Sequence, residues 1–157
     1  MKIYLTQKGR DKLIEELEML KKRKETLKEE IAKAREFGDI RENAEYHASK
    51  ETLSNIINRL DVVENKIRGA EILESKNVDI SAVHIGVNVT IQDENNNTYK
   101  YTIVDSEEAD PTINKISIDS PLTNGLLDHK IGDICTVIVP IGTIKFKILK
   151  IEPATLN

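Results

Sequence analysis

LIEELEMLKKRKETLKEEIAKA, residues 13–34, repeats its apolar positions at alternating intervals of four and three. Leu13, Leu17, Leu20, Leu27, Ile31 and Ala34 fall on the repeat, and Lys24 is its one polar member. This is the a/d seam of a coiled coil. A second seam runs through Tyr46, Ser49, Leu53, Ile56, Leu60, Val63, Ile67 and Ala70. Glycine and proline are absent from residues 10–37 and 39–68, so neither helix contains a breaker. Thr6 stands where the first helix needs an N-cap.

The two seams match when the chain is folded back at residue 40. Pairing positions whose numbers total 80 sets Leu13 against Ile67, Leu17 against Val63 and Leu20 against Leu60. Lys24 meets Ile56, Leu27 meets Leu53, Ile31 meets Ser49 and Ala34 meets Tyr46. The reading is an antiparallel helical hairpin whose arm, from Thr6 to Gly38, reaches roughly 45–50 Å at ~1.5 Å per residue. Leucines give way to smaller partners toward residue 40, so the arm should narrow to an acidic tip. Helix stability does not require such a tip. A probe entering a confined space does.

Outside the seams, composition sets limits. The chain has 157 residues, 32% of them charged, and no apolar run approaches the ~20 residues of a membrane span. The opening MKIYLTQKGRDKL carries no apolar signal core, and one cysteine, Cys135, fits a reducing compartment, so a cytoplasmic location is expected. Cys135 lies in the apolar run ICTVIV and reads as a buried strand residue. Residues 1–76 carry a net charge of +1 and residues 77–157 a net charge of −5. Charge density falls sharply between the two stretches. The expected domains are therefore a coiled-coil hairpin over 1–76 and a second domain over 77–157.

That second half has a period of two. VNVTI (87–91) and YKYTIV (99–104) flank the turn-forming DENNN. KISI (115–118) is a third strand, and ICTVIV (134–139) joins TIKFKILKI (143–151) through Pro140–Ile141–Gly142. Ser120–Pro121 reads as N-cap and first position of a short helix over Leu122–Leu127. The expectation is an α+β chain: a helical hairpin, then a bent antiparallel sheet with one short helix. Tyr99, Tyr101 and Phe146 are the sheet's aromatics and are expected in its core.

The chemistry-bearing residues gather near residue 40, in EFGDIRENAEYHA (36–48). Asp39-x-x-Glu42 has the spacing of a capping box, and before a helix that is its commoner role. At the end of a long arm, the same two carboxylates also form an oxygen donor pair suited to Mg²⁺. Two ligands do not complete a site, so another macromolecule would supply the rest. Lys21–Lys22–Arg23–Lys24 with Lys28 reads as a solvated helix face, or else as a track for phosphates. His47, His84 and His129 are scattered, with no zinc-ligand spacing. No Gly-rich phosphate loop and no nucleophile motif is present.

AREFGDIRENAEYHAS resembles the tip signature of the bacterial Gre transcript-cleavage factors, a family of transcription elongation factors, and most nearly its GreA branch. LTQKGRDKLIEELEML, ISIDSPLTNGLL, KIGD and VPIGTIKFKILKI extend the resemblance along the whole chain. The resemblance implies an accessory factor, not an independent enzyme. It would bind bacterial RNA polymerase at the rim of the secondary channel and bring its tip to the active centre. There it would stimulate the polymerase's own cleavage of backtracked RNA near the 3′ end. Asp39 and Glu42 would be the catalytic carboxylates and would share a Mg²⁺ with the polymerase, none being held tightly by the chain alone. Gly38, Arg41, Asn43, Glu45 and Tyr46 would build the tip, with Arg35 beside RNA or channel wall. The second domain would be FKBP-like without isomerase activity, and Asp119, Ser120 and Pro121 would meet the channel rim. The free protein would be monomeric, and no membrane partner is implied. One departure is visible: Asp128–His129 stand where the family usually has Gly-Lys. Two other readings stay open, a prolyl isomerase or chaperone module in the sheet, and a structural coiled-coil adaptor in which Asp39 and Glu42 only cap.

Overall fold

The computed structural model describes residues 2–36 and 44–156. It divides into two compact units, residues 10–69 and residues 1–9 together with 70–157.

The helical unit is built from α1 (Gln7–Glu36), all but its first three residues, and α2 (Ala44–Gly69). Burial follows the heptads. Leu13, Leu27, Tyr46, Leu60 and Val63 are buried, and every other seam position, Lys24 included, is half-buried. Most residues between them are exposed. The antiparallel register is fastened by Arg59 of α2, which donates to both carboxylate oxygens of Glu16 on α1 at 2.7 and 2.8 Å. Bidentate geometry makes this pair directional, although both side chains remain about one-third exposed.

In the other unit, β1 (Ile3–Leu5) pairs in parallel with β2 (Ala70–Ile72), Ile3 opposite Ala70 and Leu5 opposite Ile72. The compact units therefore do not divide at residues 76/77. The first nine residues belong with the second half because this pairing ties them to it. A three-residue strand followed at once by a charged helix leaves no shift in composition to mark it.

Five strands form the main sheet: β3 (Val87–Gln92), β4 (Thr98–Val104), β5 (Lys115–Ser117), β6 (Ile134–Val139) and β7 (Gly142–Pro153). Their order is β5-β4-β3-β7-β6. The expected hairpins β3–β4 and β6–β7 form, and β3 pairs antiparallel with β7. A register shift opposite Thr90/Ile91 interrupts that long pairing. The sheet is mixed rather than wholly antiparallel, because β5 lies parallel to β4. Residues 105–114 contain two 3-10 turns that carry the chain back before β5 begins.

Val87, Val89 and Ile91 of β3 pack with Ile103, Cys135, Ile148 and Ile151 in one core, closed by Val83 and by Leu126 of α3 (Pro121–Leu126). Gly125 lets α3 approach β6: a Cβ there would lie 2.7 Å from a Val137 methyl and 2.9 Å from the Thr136 carbonyl. Cys135 is fully buried, and burial pushes its thiol up to about 11, as an inert strand residue requires. Tyr101 and Phe146 pack against the core. Tyr99, expected with them, is 39% exposed and donates its hydroxyl to Asp93 at 3.2 Å.

The seam makes a quantitative prediction. Leu27→Ala should lower the free energy of unfolding by about 2–5 kcal/mol. Met19→Ala, on the same helix but 71% exposed, should change it by no more than about 0.5 kcal/mol. Urea denaturation followed by circular dichroism measures both, and equal effects would place the seam elsewhere.

Candidate functional site

Five of the residues singled out near the turn, Gly38, Asp39, Arg41, Glu42 and Asn43, lie outside the described residues. The helices that flank them carry the other three, Arg35, Glu45 and Tyr46. Tyr46 is only 4% exposed, as its seam position requires. The Arg35 guanidinium lies 5.9 Å from the ring centroid, and Lys50, one turn along α2, places its ammonium 5.4 Å from it. The His47 ring meets Tyr46 edge-on at 5.4 Å. A hydrogen bond from Arg35 to the phenol oxygen, aided by the charges of Lys50 and Arg35, holds the Tyr46 hydroxyl below its ordinary pKa. Glu45 is exposed in the first described turn of α2. Both cations thus gather on one aromatic ring, from the last turn of α1 and the second turn of α2.

Asp119, Ser120 and Pro121 occupy the approach to α3. Ser120 caps that helix, accepting the Thr123 N–H at 3.1 Å, and Pro121 fills its first position. The Thr123 hydroxyl donates to the Ser117 carbonyl at 2.7 Å, and the Asp119 N–H donates to the Ser117 hydroxyl at 3.1 Å. Thr123 is wholly buried. The turn is therefore fixed from beneath, while Asp119 and Pro121 face solvent. Such a turn can present a carboxylate and an apolar ring to a partner at little ordering cost.

Sequence comparison covers both units. Residues 77–153 match the family described as "Transcription elongation factor, GreA/GreB, C-term", and residues 3–72 match "Transcription elongation factor, N-terminal" of the same family. The chain belongs to the GreA/GreB family of transcription elongation factors. It is similar to the "Transcription elongation factor GreA" of Thermoanaerobacter pseudethanolicus, 44% identical over 96% of this chain and 97% of the relative. The protein of the same name from Chlorobaculum parvum is 41% identical over 96% of each chain. Among solved structures, the GreA factor homolog 1 of Thermus thermophilus is 26% identical over 97% of this chain and 99% of its own, with a TM-score of 0.47.

Within this Gre-family chain, the departure at Asp128 has a backbone explanation. Asp128 adopts φ +65°, the left-handed region where glycine is at ease and aspartate is tolerated. Its N–H still donates to the Val83 carbonyl at 3.0 Å, and its carboxylate lies 3.6 Å from Nδ1 of His84.

Thr123 and Lys50 were not marked by the sequence reading. Thr123 could have been found by its Ser-x-x-Thr spacing from the cap, and Lys50 by standing four residues after Tyr46 on one helix face. Among the described residues, no group of three or more His, Cys, Asp or Glu is placed to hold a metal ion, and no helix is long and apolar enough to cross a membrane.

Removing the guanidinium should release the phenol. In Arg35→Ala, the Tyr46 hydroxyl should titrate at higher pH than in the wild type, closer to the ordinary value of about 10. NMR of ¹³C-labelled tyrosine reads the midpoint, and an unchanged value would remove Arg35 from the ring.

Proposed function

We propose that the chain binds bacterial RNA polymerase, enters its secondary channel with the helical arm, and stimulates the polymerase's endonucleolytic cleavage of backtracked RNA. The observation that carries this reading is the intact Asp39-x-x-Glu42 pair in a chain of the GreA/GreB family that matches through both of its segments. The protein acts as an accessory factor, and the hydrolytic reaction belongs to the polymerase.

In this reading Asp39 and Glu42 hold a Mg²⁺ shared with the polymerase active centre. The donor chemistry fits: both ligands are oxygen, and Mg²⁺ commonly takes one or two carboxylates with water and phosphate completing its shell. When bound, that ion stabilises the attacking and leaving oxygens of phosphodiester hydrolysis. A carboxylate at the same place also orients the attacking water by accepting its hydrogen bond. Arg35 and Lys50, gathered on Tyr46, offset the acidic charge and face RNA phosphate or the channel wall. Asp119 and Pro121 meet the channel rim from the rigid turn before α3. Nascent RNA, its 3′ end displaced by backtracking, is the second partner. Free of polymerase the chain is a monomer in the cytoplasm, and Asp39 and Glu42 serve the helix as caps.

The test uses a stalled elongation complex with a displaced 3′ end. Asp39→Asn retains capping ability but removes a charged oxygen donor. Cleavage should fall by roughly a hundredfold or more, as when one transition-state contact is lost. Polymerase binding should stay within a factor of about two to three, since the rim contacts are untouched. Wild-type cleavage by Asp39→Asn would contradict the carboxylate role and favour a purely structural arm.

A further inference from the structure

Helix α1 opens as Thr6–Gln7–Lys8–Gly9. Thr6 caps it, its hydroxyl accepting the Gly9 N–H at 3.0 Å. A complete capping box places Glu or Gln at the position of Gly9, where it reaches back to the N–H of the cap residue. Glycine has no side chain with which to do so. The Thr6 N–H is nevertheless satisfied: Oε2 of Glu108, 102 positions away in the sequence, accepts it at 3.0 Å. The other carboxylate oxygen of Glu108 accepts the Thr6 hydroxyl proton. Thr6 is only 6% exposed, so these groups have little recourse to water.

The glycine and the carboxylate occupy the same space. A Cβ built on Gly9 would lie 2.4 Å from Cδ and 2.5 Å from Oε1 of Glu108. Glu108 is itself held in place. It ends the 3-10 turn Ser106–Glu108, with its N–H donating to the Asp105 carbonyl at 2.9 Å. Asp105, 6% exposed, caps that turn by accepting the Glu107 N–H at 3.0 Å. Lys8 and Lys115 line the same cavity as Thr6 and Glu108.

We propose that Glu108 is the acidic member of the α1 capping box, supplied from the β4–β5 connection, and that glycine stands at position 9 to admit it. The first turn of α1 and the 105–108 turn then form together or not at all. A local motif is replaced by a tie between residues 102 positions apart.

Hydrogen exchange and thermal unfolding of the full chain test this. In Glu108→Ala, the Thr6 and Gly9 amides should exchange about five to ten times faster, the loss expected of a cap. Gly9→Ala in the wild-type background should expel the carboxylate and cause a similar acceleration. In the Glu108→Ala background the same substitution should instead raise the unfolding temperature, because alanine suits a helix better than glycine once the space is free. The double change Gly9→Glu with Glu108→Ala rebuilds a local box and should return Thr6 protection to within about twofold of the wild type. Unchanged Thr6 exchange in Glu108→Ala, or a Gly9→Ala effect of one sign and size in both backgrounds, would overturn the proposal.

Discussion

Leucines of α1 packed against aliphatics of α2 decide which residue of one helix faces which residue of the other. A coiled-coil seam admits sliding only in whole heptads, because any smaller slip drives charged side chains into the apolar stripe. The Glu16–Arg59 pair excludes the heptad slips as well, since its bidentate contact exists in one register only. Once that register is fixed, Ala34 and Arg35 come level with Tyr46, and everything beside residues 37–43 follows from it.

Tyr46 shows how the seam is turned to use near its end. A leucine at that position would continue the stripe. A buried tyrosine brings a π face and a hydroxyl, both of which attract cations. Arg35 and Lys50 accept the invitation from opposite helices. Cationic charge from both helices is thereby held on one ring.

What could be read in the sequence divides along physical lines. The helical seams were legible because a heptad repeat is local and redundant, and eight or so residues must agree. The two β-hairpins were legible because DENNN and Pro140–Ile141–Gly142 are turn chemistry between alternating strands. The short helix announced itself through Ser120 and Pro121. Pairings between distant segments left no such trace. β1 and β2 are three residues each and lie far apart in the chain. The parallel alignment of β5 depends on turns within residues 105–114 whose sum cannot be read from any one of them. Glu108 is invisible as a cap for the same reason, since a missing glutamate at position 9 looks like an incomplete motif until the fold supplies it. Of the candidate site, the pattern Asp39-x-x-Glu42 was legible, as was Ser120 as a cap. The gathering of Lys50 with Arg35 on Tyr46 required the register.

The proposed role requires the arm to carry Asp39 and Glu42 to the displaced RNA 3′ end inside the polymerase. A photo-crosslinking amino acid at Ile40, between Asp39 and Glu42, measures this without removing either. Irradiation of a backtracked elongation complex should join the arm to the 3′-terminal nucleotides of the RNA. Crosslinks confined to the outer surface of the polymerase, with binding intact and no RNA captured, would contradict that role.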